Sequence, residues 1–179
     1  MATLKVPVSA DDHRQGSAHA KVTLVEFGDY ECPYCGEAYW MVKNLQQHFR
    51  DDLLFVFRNF PLTTAHPHAL GAAVTAEYAG SRGFFWEAHD GLYENQDRLG
   101  LPLYRAIVLK HGLSREEFDL AMQEDTYIPK IQADFNGGVR SGVNGTPAFY
   151  IDGLRYDGVP EFIGMSQMIE LLLVRGRNR

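Results

Sequence analysis

The chain has 179 residues, a formal net charge of −6 and a hydrophobic fraction of 45%, values that are ordinary for a soluble globular protein. This length predicts one domain, or one domain with a sizeable insertion. No basic groove is visible in the acidic composition, so we expect no nucleic acid partner. No apolar run approaches the length of a transmembrane helix, so we expect no membrane insertion.

Residues 1–20 are polar and rich in turn-forming residues, and they predict an N-terminal arm. They lack the apolar segment of a signal peptide, so the sequence as written predicts a cytoplasmic protein. A mature form whose signal had been removed, with Met1 added, would look the same. The periplasm or cell envelope is therefore the alternative location.

The next segments predict a β-α-β unit. Residues 22–27 and 53–57 are short apolar runs typical of strands that are buried on both faces. Between them, residues 35–50 have the spacing of an amphipathic helix. This order implies two parallel strands joined by a right-handed crossover.

Residues 61–127 lose strand character and predict a set of helices. Ser81 is expected to cap one of them, and the pattern from Ser114 to Glu117 is a capping box that opens another. A further helix is expected at residues 127–140, weakened at its end by Gly137 and Gly138. A β-hairpin follows, with strands at 147–151 and 154–156 around the turn residues Asp152 and Gly153, and Pro160 then opens a final helix.

The chain's two cysteines, Cys32 and Cys35, form a C-x-x-C motif directly after the first strand. Pro33 suits the first helical turn, so Cys32 is expected near the N-cap, where free backbone N–H groups and the helix dipole favour a thiolate. We therefore predict that Cys32 is the exposed attacking sulfur and that Cys35 resolves the mixed disulfide. Three nearby acids are expected to limit the lowering of the Cys32 pKa: Asp29, Glu31 and Glu37.

Two other interpretations of the cysteine pair are structural. A zinc site needs four ligands, and no second cysteine pair or suitably spaced histidine pair accompanies this one, so we expect no metal. The cysteines could also be an inert buried pair. His66 and His68 flank a proline and indicate a helix start rather than metal ligands.

The whole pattern resembles the DsbA-like branch of the thioredoxin superfamily over roughly residues 20–174. The resemblance rests on Val25-Glu26-Phe27, the C-x-x-C motif, the helical middle and the segment Gly145-Thr146-Pro147-Ala148-Phe149. It implies an α/β, thioredoxin-like fold with an inserted α-helical subdomain. The implied organisation is an arm at 1–20, a thioredoxin-like domain at 21–60 and 128–179, and an inserted helical subdomain at 61–127.

The resemblance also implies roles for residues near the motif. Pro147 corresponds to a cis-proline that lies against the cysteines, and the backbone of Thr146 is expected to pair with an extended substrate. The Thr146 hydroxyl could also touch Cys32. Pro33 and Tyr34 are expected to contact substrate from within the motif.

Glu26 corresponds to a buried acid in the first strand of these proteins. Burial should raise the pKa of its carboxyl group, which could then accept the proton of Cys35 through a water. The alternative is that Glu26 points to solvent at a strand edge. Tyr34 stands where the strong bacterial oxidant of this family has a histidine, so we expect a less extreme redox potential.

These expectations define a thiol–disulfide oxidoreductase that exchanges disulfides with protein or peptide substrates through Cys32 and Cys35. We expect no cofactor, a monomer, and a separate redox partner that regenerates the pair. The direction of exchange stays open between oxidase, reductase and isomerase. Two other classes stay open: a glutathione-dependent enzyme, glutaredoxin-like or related to kappa-type glutathione transferases, and a non-catalytic binding module.

Overall fold

The computed structural model of the chain describes residues 2–177, so Met1 of the predicted arm and residues 178–179 of the predicted core domain lie outside it. Within the described residues, five strands form one sheet in the order β1-β3-β2-β4-β5. β2 and β3 are parallel, and the other neighbouring pairs are antiparallel. The strands are β1 His13–Gln15, β2 Val22–Gly28, β3 Leu53–Asn59, β4 Ala148–Ile151 and β5 Leu154–Tyr156.

Helices cover both faces of this sheet, and the predicted order of β-α-β, helices and β-β-α is confirmed. No helix in the part of the chain that the structure describes is long and apolar enough to cross a membrane. The α-helices are α1 Pro33–Phe49, α2 Ala69–Gly80, α3 Phe85–Tyr93, α4 Leu101–Lys110, α5 Arg115–Gln123, α6 Ile128–Ser141 and α7 Phe162–Arg177.

The central strand β2 positions the site because it is covered on both faces. Val25 and Phe27 pack in a core shared with Phe135 of α6. Leu24 belongs instead to the larger core, which includes residues of α1, α3 and α7. Because side chains alternate along a strand, Glu26 lies on the same face as Leu24, under α1.

The helices of residues 61–127 pack mainly into the core of the sheet, and a small separate cluster joins Ala73 and Val74 of α2 to Ile131 of α6. Tyr78 of α2, Leu92 of α3 and Phe118 of α5 belong to the same large core as Leu24 and Phe57 of the sheet. The inserted helices therefore stabilise the sheet directly. The division into a thioredoxin-like domain at 21–60 and 128–179 and an inserted subdomain at 61–127 stays a proposal.

The N-terminal segment is part of the sheet and not the plain arm that the sequence predicts. It contributes β1, which pairs with β3 at one edge of the sheet. At the other edge, the Leu4 N–H donates to the Gly153 carbonyl at 2.8 Å. The buried Arg58 guanidinium holds the segment through Asp12 and the carbonyls of Val6 and Pro7. A short polar edge strand has no alternating apolar pattern, so the sequence did not reveal it.

Ser81 also differs from its prediction, because it closes α2 instead of opening α3. Its hydroxyl donates to the Tyr78 carbonyl at 2.8 Å, and α3 begins only at Phe85. The prediction for Ser114 is confirmed, since its hydroxyl accepts from the Glu117 N–H at 3.2 Å. A serine hydroxyl can bond either end of a helix, which explains the error at Ser81.

The two adjacent glycines of α6 do not weaken its end, contrary to expectation, and the helix continues to Ser141. A Cβ on Gly138 would come within 2.7 Å of the Phe60 ring and 3.0 Å of the Phe27 ring. Glycine therefore lets α6 approach the sheet closely, and the packing offsets its low helix propensity.

Candidate active site

The cysteine motif lies where β2 ends and α1 begins. Cys32 has extended backbone angles and is the N-cap of α1, while Pro33 is the first helical residue. This is the helix start that the sequence predicted. Both Cys32 and Cys35 are free thiols in the structure.

Cys32 is covered by the loop that precedes β4. Its thiol donates to the Thr146 carbonyl at 3.4 Å, and the Thr146–Pro147 peptide bond is cis. The residue is only 4% exposed, which corrects the prediction of an exposed sulfur. Tyr34, by contrast, is 69% exposed, so the rim of the site is open while the sulfur lies below it.

The surroundings of Cys32 lower the pKa of its thiol to about 5. The largest cause is a hydrogen bond from the Cys35 side chain, and burial opposes it. The Thr146 side chain and the backbone N–H groups of Tyr34 and Cys35 stabilise the thiolate further. The N–H contribution is the one expected at a helix N-terminus.

The Thr146 hydroxyl has no hydrogen-bond partner while Cys32 is a thiol. The thiol is bonded to the Thr146 carbonyl instead, which the sequence did not predict. The hydroxyl nevertheless contributes to lowering the Cys32 pKa. The unpaired hydroxyl and its effect on the pKa are consistent if the hydroxyl donates a hydrogen bond to the Cys32 sulfur once the thiolate forms.

Two of the acids near the motif are held by other groups. Asp29 accepts hydrogen bonds from the Leu62 N–H at 2.8 Å and from His66 Nδ1 at 2.7 Å. Glu31 accepts from the His68 N–H. Burial lowers the pKa of His66, but Asp29 outweighs it and the net shift is upward. The acids therefore oppose the Cys32 thiolate less than the sequence indicated.

Cys35 has the opposite environment to Cys32. It is fully buried, and its sulfur accepts a weak hydrogen bond from the Asp29 N–H at 3.5 Å. Burial raises the pKa of its thiol well above the ordinary value, and the hydrogen bond to Cys32 and the charge of Glu26 raise it further. This thiol needs help to lose its proton.

Glu26 is 2% exposed, so the alternative that it points to solvent is wrong. Burial raises the pKa of its carboxyl group to about 8, with a smaller contribution from the charge of Cys32. Its Oε1 atom has no hydrogen-bond partner. An unpaired carboxyl that titrates near neutral pH is suited to accept and return a proton.

Gln96 is a further residue at the site, and sequence analysis missed it. Its amide donates to the carbonyls of Tyr30 at 2.7 Å and Cys32 at 2.9 Å. The amide oxygen packs so closely on Gly36 that a Cβ there would come within 2.4 Å of it. Gln96 thus ties the helical region to the start of α1, and no local sequence signal marks it.

The structure brings together Cys32, Cys35, Glu26 and Thr146, and leaves Pro33 and Tyr34 at the exposed rim. Within residues 2–177, no group of three or more His, Cys, Asp and Glu side chains is arranged to hold a metal ion. The arrangement combines a thiol of lowered pKa, a buried thiol of raised pKa and a buried carboxyl group of raised pKa.

A family model described as Thioredoxin matches residues 9–171. The chain therefore belongs to this thioredoxin family. Among curated proteins, it is 40% identical over 156 residues to a protein named Na(+)/H(+) antiporter NhaA 1 from Salinispora arenicola. The match covers 87% of this chain and 24% of that protein, so the chain spans about a quarter of the relative's length.

Several solved structures share this fold, and DsbA proteins are among them. BdbD from Bacillus subtilis matches with a TM-score of 0.83 at 23% identity, over 96% of this chain and 98% of that one. Wolbachia pipientis alpha-DsbA1 matches with a TM-score of 0.82 at 18% identity, over 96% and 95%. A periplasmic thioredoxin-like protein from Salmonella enterica serovar Typhimurium matches with a TM-score of 0.74 at 22% identity, over 91% and 90%. The predicted DsbA-like fold with its helical insertion is confirmed.

Proposed function

We propose that this chain is a thiol–disulfide oxidoreductase that exchanges disulfides with protein or peptide substrates. The observation that supports this function best is the contrast between neighbouring thiols, with the pKa of Cys32 lowered to about 5 and that of Cys35 raised. An attacking sulfur must be a thiolate at neutral pH, whereas a resolving sulfur must wait until the mixed disulfide has formed.

In the first step, the Cys32 thiolate attacks one sulfur of a substrate disulfide. A bond forms between Cys32 and that sulfur, and the other substrate sulfur leaves as a thiolate. The Thr146 backbone is proposed to pair with the extended substrate beside the motif. Pro33 and Tyr34, at the open rim, are proposed to contact the substrate from the other side.

In the second step, the Cys35 sulfur attacks Cys32. The bond between Cys32 and the substrate breaks, the Cys32–Cys35 disulfide forms, and the substrate leaves reduced. Glu26 is proposed to accept the Cys35 proton, because its carboxyl group is buried, unpaired and titrates at about 8. The same residues act in reverse order when the protein oxidises a substrate.

A trapping experiment tests this proposal. Cys35→Ser, incubated with a peptide that contains one disulfide, should accumulate a peptide adduct on Cys32 that mass spectrometry detects. Cys32→Ser should form none, although it retains Cys35. Equal adducts on the two variants, or none on Cys35→Ser, would contradict the proposal. Turnover with glutathione alone by Cys35→Ser would favour the glutathione-dependent alternative.

The direction of exchange follows from the reduction potential. A Cys32 pKa of about 5 lies between the values of about 7 for thioredoxin and about 3.5 for DsbA. Stabilising the thiolate stabilises the reduced form, which makes the protein more oxidising. We therefore propose a potential between about −270 mV and about −120 mV, measured by equilibration in glutathione buffers.

The periplasm or cell envelope is the location we favour over the cytoplasm. A solved structure with the same fold is described as periplasmic, and disulfides form and persist in oxidising compartments. A redox partner that regenerates the pair is part of the proposal. Fractionation of cells that express the chain in its native context tests the location.

A further inference from the structure

Tyr93 is a buried tyrosine with an unused hydroxyl group. It is 5% exposed, and its hydroxyl has no hydrogen-bond partner. Two tyrosines in contact with it are satisfied: the Tyr30 hydroxyl lies 3.1 Å from His89 Nδ1, and Tyr39 donates to Glu94 at 3.0 Å. A buried polar group without a partner is costly, so its presence here needs a reason.

The Tyr93 hydroxyl lies over the end of β2. A Cβ on Gly28 would come within 3.0 Å of its oxygen and would clash first with the Phe57 ring, so glycine makes room for both groups. Gly28 is two residues beyond Glu26 and therefore shares its face of the sheet. The next residue, Asp29, donates its N–H to the Cys35 sulfur. The end of β2 thus links the Tyr93 hydroxyl, the Glu26 side chain and the Cys35 sulfur.

The electrostatics agree with this geometry. Burial raises the pKa of Tyr93 well above its ordinary value, and the negative charges of Cys35 and Glu26 are the next causes. Tyr30 and Asp29, in the turn before the motif, raise it further. The hydroxyl therefore stays protonated at neutral pH and can act as a hydrogen-bond donor.

Two buried polar atoms without a partner, Glu26 Oε1 and the Tyr93 hydroxyl, therefore belong to the same end of β2 as the hydrogen bond from Asp29 to the Cys35 sulfur. The two oxygens are not hydrogen-bonded to each other. A buried water needs two to four polar partners, and the two oxygens and the Cys35 thiol are groups of the kind that could supply them.

Building on the proposed function, we propose that Tyr93 is a positioning residue that holds a water on the proton path from Cys35 to Glu26. As the Cys35 sulfur attacks Cys32 in the mixed disulfide, the Cys35 proton passes through this water to the Glu26 carboxylate. The Cys32–Cys35 bond forms, the bond from Cys32 to the substrate sulfur breaks, and the substrate leaves as a thiolate. Tyr93 keeps its own proton throughout.

The test uses an aromatic disulfide, 5,5′-dithiobis(2-nitrobenzoate), to measure the reactions of the two sulfurs separately. Attack by Cys32 releases the first thionitrobenzoate, and attack by Cys35 on the mixed disulfide releases the second. Tyr93→Phe should leave the first release unchanged and slow the second about tenfold, because only the resolving step uses the proton path. Stopped-flow measurements across neutral and alkaline pH record both phases.

Tyr39→Phe is the matched control, because it removes a hydroxyl from the same aromatic cluster at a distance from the path. Its second phase should match that of the unmodified chain. In a Glu26→Gln background, Tyr93→Phe should slow the second phase by less than twofold further. Thermal unfolding should show that Tyr93→Phe is folded and close to the unmodified chain in stability, since the aromatic ring and its packing are kept.

The outcomes distinguish this inference from the proposed function. If Tyr93→Phe changes neither phase, or if its effect is the same with and without Glu26, the role of Tyr93 is wrong and the cysteine chemistry stands. If the unmodified chain fails to release thionitrobenzoate through Cys32, the proposed function itself is contradicted. A slower second phase in Tyr39→Phe as well would mean that packing, not the hydroxyl, causes the effect.

Discussion

The two ends of the C-x-x-C motif lie one helical turn apart and have opposite surroundings. In front, the start of α1 and the loop before β4 give Cys32 hydrogen-bond donors, and the pKa of its thiol falls to about 5. Behind, β2 and α3 surround Cys35 with buried groups, and the pKa of its thiol rises. Local solvation and hydrogen bonding thus give two chemically identical thiols opposite pKa shifts.

In the part of the chain that the structure describes, three of the five buried side-chain atoms without a hydrogen-bond partner belong to the site, the other two being Asn59 Oδ1 and Asp90 Oδ1. In front, the Thr146 hydroxyl has no partner, and behind, Glu26 Oε1 and the Tyr93 hydroxyl have none. Each of the three affects the pKa of a neighbouring sulfur or is affected by that sulfur's charge, and these charges change in the proposed exchange. A group reserved for one charge state is necessarily unsatisfied in the other, so the folded protein tolerates a stability cost for its proposed chemistry.

The largest expected effect is at Glu26, on the Cys35 side of the motif. The pKa of Glu26 is raised from 4.5 to about 8, so folding favours the protonated carboxyl group. Its favourable contribution is complete below about pH 4.5 and is lost as the pH rises towards 8. Glu26→Gln should therefore increase the free energy of unfolding by about 3 kcal/mol at pH 7 and leave it nearly unchanged at pH 4.

Denaturant unfolding at both pH values checks this prediction. Glu37→Gln is the control, because Glu37 is an exposed acid close to the motif in α1. It should change the free energy of unfolding by less than about 0.5 kcal/mol at either pH. A Glu26→Gln variant that is destabilised equally at pH 4 and pH 7 would show that the carboxyl group is not desolvated as described.

An intermediate effect is expected at Gln96, which links the helical region to the motif. Gln96→Leu leaves the carbonyls of Tyr30 and Cys32 without their side-chain donor. The loss of two hydrogen bonds should lower the free energy of unfolding by about 2 kcal/mol. Gln132→Leu is the matched control, since that amide bonds only the exposed Asn136. Equal effects of the two substitutions in denaturant unfolding would refute this role of Gln96.

The smallest effect is expected at Thr146, on the Cys32 side of the motif. Thr146→Val removes the hydroxyl and keeps the carbonyl that accepts from Cys32. The pKa of Cys32 should rise by about one pH unit, because a charge-assisted hydrogen bond to the thiolate is lost. Ultraviolet absorbance of the thiolate in a Cys35→Ala background measures it. Thr75→Val, a buried threonine in α2, should leave the Cys32 pKa unchanged.

Much of this architecture could be predicted from local pattern. The apolar runs at residues 22–27 and 53–57 and the proline inside the C-x-x-C motif each determine local structure through nearby residues, and the predicted elements agree with the structure. β1 was missed because an edge strand of three residues needs no apolar alternation. The sequence predicts the wrong helix for Ser81 because a serine hydroxyl bonds either helix end.

The contacts that complete the site join residues far apart in the chain. His66 is 37 residues from Asp29, and Gln96 is 64 residues from Cys32. His66 was interpreted only as part of a helix start, and Gln96 has no sequence signal at all. Such pairs depend on how the inserted helices pack on the sheet, which no local window of sequence contains.

The sequence by itself determined which residues bear the proposed chemistry. The spacing of Cys32 and Cys35, with Pro33 between them, specifies a helix start with a sulfur at its N-cap, because these effects act within one helical turn. Only the tertiary structure decided how each sulfur ionises. Burial of Cys35 and Glu26, and the approach of Thr146 to Cys32, arise when α1, β2 and the loop before β4 pack together, since solvation depends on all neighbours at once.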